Sequence, residues 1–87
     1  MTEPINESFI FNQIRKYNSA KRLICQDAAL KAVGRHVGLV ENRMLAFRIL
    51  TSEERHRVLE FLRSFLQEQG VKAEIREILV EEGNASA

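Results

Sequence analysis

The chain has little that would staple or interrupt a fold. Its 87 residues include one cysteine, Cys25, and one proline, Pro4. A single thiol cannot form an internal disulfide, which excludes a disulfide-stabilised secreted scaffold. With no proline after Pro4, no helix or strand beyond that point is interrupted by its missing backbone N–H. Because Cys25 lies among apolar neighbours, we expect it to be a small buried side chain.

A strong net charge and a long apolar run are also missing. No apolar run approaches the length of a membrane-spanning helix, and residues 1–7 lack the pattern of a signal peptide. We therefore expect a cytoplasmic protein without a membrane partner. The net charge of +1 combines a basic part, residues 1–50, with an acidic part, residues 51–87. Such an asymmetry suits nucleic acid, an acidic protein surface or head-to-tail self-association.

The composition is that of a folded domain. Hydrophobic residues make up 45% of the chain and charged residues 29%, which excludes the disordered class. The length predicts one domain over residues 1–87, with frayed ends at residues 1–7 and 83–87. A chain of this size buries roughly 60–65% of its unfolded surface, so that its core is thin and a partner would add to its stability.

The clearest predicted element is a helix over residues 51–69. Thr51 followed by Glu54 forms a capping box, and the acidic first turn suits the helix dipole. Apolar residues then recur at helical spacing, and Gly70 supplies a left-handed stop.

The other segments predict further helices. Ser8 can cap a helix that ends near Tyr17, and Asn18 and Ser19 are typical of an interruption. A second helix is predicted over residues 20–37, with Leu23, Ile24, Ala28, Leu30 and Val33 inward. A third is predicted over residues 40–50. Residues 71–81 favour a short final helix, with a strand as the alternative. The prediction is therefore an all-α fold, a small compact bundle of four to five helices.

Residues 30–50 have nearly the spacing of a helix-turn-helix. Gly34 and Gly38 stand where two short helices would cross closely, and apolar residues recur around them. The same spacing suits any tight helical hairpin, and Val40 is a poor N-cap for a DNA-reading helix. If this corner binds DNA, arginine and asparagine side chains would read bases and the other polar side chains would contact phosphates. The candidates are Lys31, Arg35, His36, Asn42, Arg43 and Arg48.

Nothing in the sequence points to catalysis. His36 and His56 share no metal-ligand spacing with Cys25 or with an acid pair, so we expect no metal. No serine or cysteine stands in a nucleophile motif, and the two central glycines do not form a phosphate-binding loop. We expect no enzyme activity, no cofactor and no small-molecule substrate.

A surplus of large apolar side chains favours a binding protein. Phe9, Ile10 and Phe11 point in different directions on a helix, so at least one of them is expected to face solvent or a partner. The partner-binding candidates are Phe9, Phe11 and Tyr17. We therefore predict a small non-enzymatic regulatory or adaptor protein that binds a protein partner, with homodimerisation as one form of this. The alternative hypothesis is a helix-turn-helix regulator that reads DNA with the helix around residues 40–50.

Overall fold

The computed structural model describes residues 5–40 and 48–79, which form an all-α fold of three helices. α1 spans Glu7–Ser19, α2 spans Leu23–Val37 and α3 spans Ser52–Glu68. About 66% of the described residues are helical and none of them lies in a strand. Within this part of the chain, no helix combines the length and the apolar character that a membrane crossing requires.

The predicted bundle of four to five helices is therefore wrong in its number of helices. Residues 71–79 are neither helix nor strand, because side chains of α1 and α2 bond their backbone groups, as described below. Of the predicted helix at residues 40–50, Val40 and residues 48–50 are non-helical, and residues 41–47 lie outside the described part. The second helix of the helix-turn-helix-like corner at residues 30–50 thus falls mostly on residues that the structure does not describe.

α1 begins two residues earlier than the sequence predicts and ends later. Asn6, not Ser8, is the N-cap, and its side-chain oxygen accepts a hydrogen bond from the Phe9 amide at 3.0 Å. The helix continues through the expected interruption and ends at Ser19, whose hydroxyl donates to the Arg15 carbonyl. Residues 1–4 and 80–87 lie outside the described part, but Asn6 and Glu7, which were expected to fray, cap and begin α1.

The end of α2 depends on two glycines with different roles. Gly38 has a φ of 77°, and the amide of Leu39 donates to the carbonyl of Gly34 at 2.8 Å. This is the left-handed helix ending that glycine makes without strain. Gly34 is buried, and a Cβ atom added there would lie 2.6 Å from a methyl carbon of Val40 and 3.3 Å from one of Val58. Gly34 thus allows a close approach of the following turn and of α3, whereas the crossing was expected with a helix at residues 40–50, and nothing lies within 4 Å of a Cβ added at Gly38.

The prediction of α3 is confirmed in detail. The Thr51 hydroxyl accepts from the Glu54 amide at 3.1 Å, while the Glu54 carboxylate accepts from the Thr51 amide at 2.8 Å, which completes the capping box. At the other end Gly70 has a φ of 69°, and the Val71 amide donates to the Leu66 carbonyl. The helix therefore ends where the sequence placed its stop.

One hydrophobic core joins the three helices. It also includes Leu50, which lies just before α3 and is 1% exposed. Rows at helical spacing on each helix supply the other buried apolar side chains. These are Ile10, Ile14 and Tyr17 of α1, Ala29, Leu30 and Val33 of α2, and Val58, Leu59, Leu62, Phe65 and Leu66 of α3.

The inward face of α2 differs from its prediction. Gln26 and Asp27 are almost fully buried, whereas Ile24, Cys25 and Ala28 are exposed. Asp27 accepts a hydrogen bond from the Leu50 amide at 2.8 Å and pairs with Lys31 at 3.3 Å. Burial of these polar groups is possible because each finds partners in the segments that pack on α2. The expected burial of Ile24, Ala28 and Cys25 is therefore wrong.

Candidate protein-binding groove

A segment without regular secondary structure follows α3 and lies across α1 and α2. We call this segment, residues 71–79, the strap. Ile75, Ile78 and Leu79 are partly buried, and both isoleucines pack against the core. The remaining strap residues are exposed. The strap therefore rests on the helices through a few side chains, and its backbone needs hydrogen-bond partners from elsewhere.

Asn18, in the last turn of α1, supplies two of those partners. Its side-chain nitrogen donates to the Glu74 carbonyl at 2.9 Å, and its side-chain oxygen accepts from the Arg76 amide at 2.9 Å. One amide group thus bonds both sides of Ile75. A residue of a neighbouring parallel strand makes the same pair of bonds, so the Asn18 side chain stands in for a peptide unit.

Gln26, buried in the first half of α2, repeats this arrangement three residues further along the strap. Its side-chain nitrogen donates to the Glu77 carbonyl at 3.2 Å, and its side-chain oxygen accepts from the Leu79 amide at 2.8 Å. These bonds lie on both sides of Ile78. The two isoleucines that enter the core are therefore the two residues whose neighbouring backbone groups are held by amide side chains.

Tyr17 adds a fifth bond to the strap backbone. Its hydroxyl donates to the Arg76 carbonyl at 2.8 Å, and its ring is 0% exposed. Burial raises the pKa of the Tyr17 phenol above its ordinary value of 10.0, and the positive charges of Arg63, Arg76 and Arg55 oppose that rise. The neutral phenol is therefore the form that the folded state favours, and it is the form that can donate.

One strap side chain also returns to α1. The Arg76 guanidinium donates to the carbonyl of Asn18 at 2.5 Å and to that of Ala20 at 3.4 Å. Carbonyl groups at the end of a helix lack intrahelical partners, and a positive charge there is favoured by the helix dipole. We call the surface formed by Tyr17, Asn18, Ala20 and Gln26 the strap groove.

An open cleft of about 340 Å³ adjoins the beginning of the strap. Phe11, Ile14 and Leu66 form its apolar wall, and Val71 and Ala73 of the strap form another side. Val71 is 40% exposed here. The strap backbone is thus bonded to the groove from Glu74 onward, whereas before that, among the described residues, its one backbone bond is that of Val71 to the end of α3.

The three partner-binding candidates have different environments. Phe11 lines the cleft and packs edge-on against Phe65, with 5.1 Å between ring centroids. Phe9 is partly buried and lies 4.9 Å from the ring of His36. Tyr17 is fully buried beneath the strap, and its role in binding a partner stays a prediction. Its hydroxyl is satisfied by the strap, which is why so large a polar side chain can lie in the core.

The DNA-binding candidates do not form one free basic surface among the described residues. Lys31 pairs with Asp27, and Arg48 makes two hydrogen bonds to the Glu54 carboxylate, at 2.8 and 2.9 Å. Arg35 is exposed, and Asn42 and Arg43 lie outside the described residues. His36 is exposed, and its Nε2 accepts a hydrogen bond from the Asn6 amide at 3.0 Å.

The ion pair between Arg48 and Glu54 at the beginning of α3 shifts the pKa values of both side chains. Hydrogen bonds from the Arg48 guanidinium and from the Thr51 amide lower the pKa of Glu54 from 4.5 to about 2. The same contact raises the pKa of Arg48. This pair fixes residues 48–51 against α3, and it explains Arg48 as a structural side chain.

Sequence reasoning missed Asn18 and Gln26, the residues that define the strap groove. For Gln26 a signal existed, since Gln26, Leu30, Val33 and Val37 fall on one helical stripe and an amide within such a stripe indicates a buried polar contact. For Asn18 the only signal was the preference of asparagine for helix ends.

No protein-family model, curated protein or solved structure has significant similarity to this chain.

Proposed function

We propose that this protein is a small non-enzymatic adaptor or regulator that binds an extended segment of a protein partner in the strap groove. The observation that carries the proposal is the pair of side-chain amides, from Asn18 and Gln26, that bond the backbone of the strap. Peptide-binding sites use the same chemistry: main-chain hydrogen bonds give affinity, and pockets for a few side chains give specificity.

The hydrogen bonds that hold the strap could also hold a segment of another protein. Five backbone groups of the strap are bonded by helix side chains, and backbone groups are common to every sequence. Specificity would come from the positions of Ile75 and Ile78, which contact the core, and from that of Arg76, whose guanidinium bonds carbonyl groups at the end of α1. A partner segment would therefore need apolar residues three positions apart, a spacing that matches the repeat of a polyproline II helix.

The strap is also attached in a way that allows its replacement. Within the described residues, its one backbone-to-backbone bond to a helix is that of Val71 to Leu66, at the end of α3. Most strap residues are exposed, and the cleft beside Phe11 leaves the first three of them loosely packed. Segments with few buried contacts and exposed backbone open at low free-energy cost.

The test is binding of a fluorescent peptide with the sequence of residues 71–79 to the full chain. The chain carries Ile75→Asp and Ile78→Asp, which weaken its own strap while the groove stays intact. We expect saturable binding by fluorescence anisotropy. In the same background, Asn18→Ala with Gln26→Ala should weaken binding at least tenfold, because four hydrogen bonds of about 0.5–1.5 kcal/mol each are lost.

Two controls make the result specific. Asn12→Ala changes an exposed asparagine of α1 that does not contact the strap, and it should leave the affinity unchanged. The unmodified chain should bind the peptide much more weakly, because its own strap competes at an effective concentration on the order of millimolar. No binding to the weakened chain, or binding that ignores the loss of both amides, would refute the proposal.

DNA binding, the location in the cell and the absence of catalysis each rest on fewer observations. The DNA-binding alternative gains no support from Lys31 and Arg48, which already bind carboxylates. We propose a cytoplasmic location because the single cysteine, Cys25, is exposed as a free thiol, which is typical of a reducing compartment. The absence of catalysis stays a prediction from the sequence.

A further inference from the structure

We infer that the partner is a second copy of this chain, and that two copies exchange straps so that each strap lies in the other's groove. The inference rests on the proposed function, because it names the occupant of the same groove. It requires that the strap can leave its own helices, reach a neighbouring molecule and find the same contacts there.

The contacts of the strap are separable from its covalent attachment. The strap is joined to α3, yet its bonds from Glu74 onward go to Tyr17, Asn18, Ala20 and Gln26, which lie on α1, on α2 or between them. A strap that arrives from a second molecule would meet an identical groove. Every hydrogen bond and both isoleucine contacts would therefore form again without any change of sequence.

The connection to α3 allows this movement. Gly70 has a φ of 69°, and residues 69–73 are exposed. These five residues separate Glu68, the last residue of α3, from Glu74, the first strap residue bonded to the groove, and when extended they span about 17 Å. The smallest dimension of the molecule is 18 Å. A second copy must therefore lie directly against the strap-bearing face, which gives a compact dimer rather than an open chain of molecules.

Concentration decides between the closed monomer and the exchanged dimer. A short connection holds the strap near its own groove at an effective concentration on the order of millimolar, and a second copy must compete with that value. The competition disappears when one chain has a defective strap and the other has a defective groove. Such a pair can form one intact strap–groove contact, and it can form it only between the two molecules.

The experiment mixes two full-length variants. The strap-defective chain carries Ile75→Asp and Ile78→Asp, and the groove-defective chain carries Asn18→Ala and Gln26→Ala. Each is held at ten times the dissociation constant measured for the strap peptide, and light scattering after size exclusion gives the mass of the species. We expect each variant alone to be a monomer and the mixture to contain the heterodimer as its main species.

A third chain that carries all four substitutions is the matched control, and with the groove-defective chain it should give no dimer. Circular dichroism of each variant must show the helical content of the unmodified chain. If the peptide binds but the mixture stays monomeric, the inference is wrong and the proposed function stands. If the peptide itself does not bind, both are wrong. A dimer that also forms with the control chain would use another surface and would overturn the inference.

Discussion

Replacement of Gly34 by alanine should destabilise the fold for a steric reason that a second substitution can remove. A Cβ at this position would lie 2.6 Å from one methyl carbon of Val40, 3.3 Å from the other and 3.3 Å from a methyl carbon of Val58. Overpacking of this kind costs about 1–3 kcal/mol. Alanine is favoured over glycine within a helix by about 1 kcal/mol. Gly34→Ala should therefore lower the free energy of unfolding by up to about 2 kcal/mol, a large part of the roughly 5 kcal/mol expected of so small a domain.

The decisive measurement is a double-mutant cycle with Val40→Ala, followed by urea denaturation. Val40→Ala deletes both methyl carbons that crowd position 34, so that only the Val58 contact at 3.3 Å remains. In that background Gly34→Ala should be neutral or stabilising, by up to about 1 kcal/mol, because its helix preference then dominates. The two substitutions should thus couple by about 1–3 kcal/mol.

Gly38 provides the matched control at the same helix end. It has a φ of 77°, and a Cβ added there would meet nothing within 4 Å. Gly38→Ala should therefore cost about 1–2 kcal/mol through backbone strain alone, and equally in both backgrounds. If Gly34→Ala costs the same whether residue 40 is valine or alanine, the steric explanation is refuted.

Two further predictions concern pH. Because the pKa of Glu54 is lowered from 4.5 to about 2, its stabilising contribution is fully present above pH 4.5 and is lost as the pH falls through about 2. Glu54→Gln, which can keep the capping box, should remove this dependence from urea titrations between pH 5 and pH 2, and an unchanged acid limb would contradict the assignment. Tyr17→Phe should cost about 1 kcal/mol below pH 10, and the difference from the unmodified chain should narrow above pH 10, because the raised pKa of Tyr17 means that its ionisation destabilises the fold. If the difference in the free energy of unfolding between the two chains stays constant to high pH, ionisation of Tyr17 does not destabilise the fold and the prediction is wrong.

The capping box shows which features the sequence could predict. All four groups of that motif belong to Thr51 and Glu54, and they meet as soon as one helical turn forms. The stop at Gly70 is equally local, since it depends on the φ of one residue. Features of this kind depend on neighbours in the sequence. At Gly34 the missing side chain indicated a close approach, but the helix that meets it is α3 and not the one expected at residues 40–50.

The polar interior of α2 shows what the sequence could not predict. The predicted inward face of α2 contains Ile24 and Ala28 and leaves out both Gln26 and Asp27, although Gln26 falls on one stripe with Leu30 and Val33. Both polar side chains are buried because they have hydrogen-bond partners far away in the sequence. Asp27 accepts from the Leu50 amide, 23 residues away, and Gln26 bonds strap backbone groups more than 50 residues away. Those partners lie in segments without regular structure, which no periodic sequence pattern predicts. For this reason the sequence of residues 71–79 was compatible with a helix and with a strand, whereas the segment forms neither.

Four polar side chains of α1 and α2 bond main-chain groups of the segments before and after α3. Tyr17, Asn18 and Gln26 bond the strap after α3, and Asp27 bonds Leu50 just before α3. All four engage main-chain groups of irregular segments, where an apolar contact would have left those groups without partners.

The backbone bonding also separates tolerant positions from intolerant ones. Glu74 and Glu77 contribute carbonyl groups to the groove while their side chains face solvent, so substitutions there should leave the contact intact. Asn18 and Gln26 each bond two strap groups with the two ends of one amide, and an acid of the same shape would lose the donor and repel the carbonyl. The groove bonds backbone groups of its occupant and the Arg76 guanidinium, and a segment from another molecule would need apolar side chains at the positions of Ile75 and Ile78 to make the same contacts.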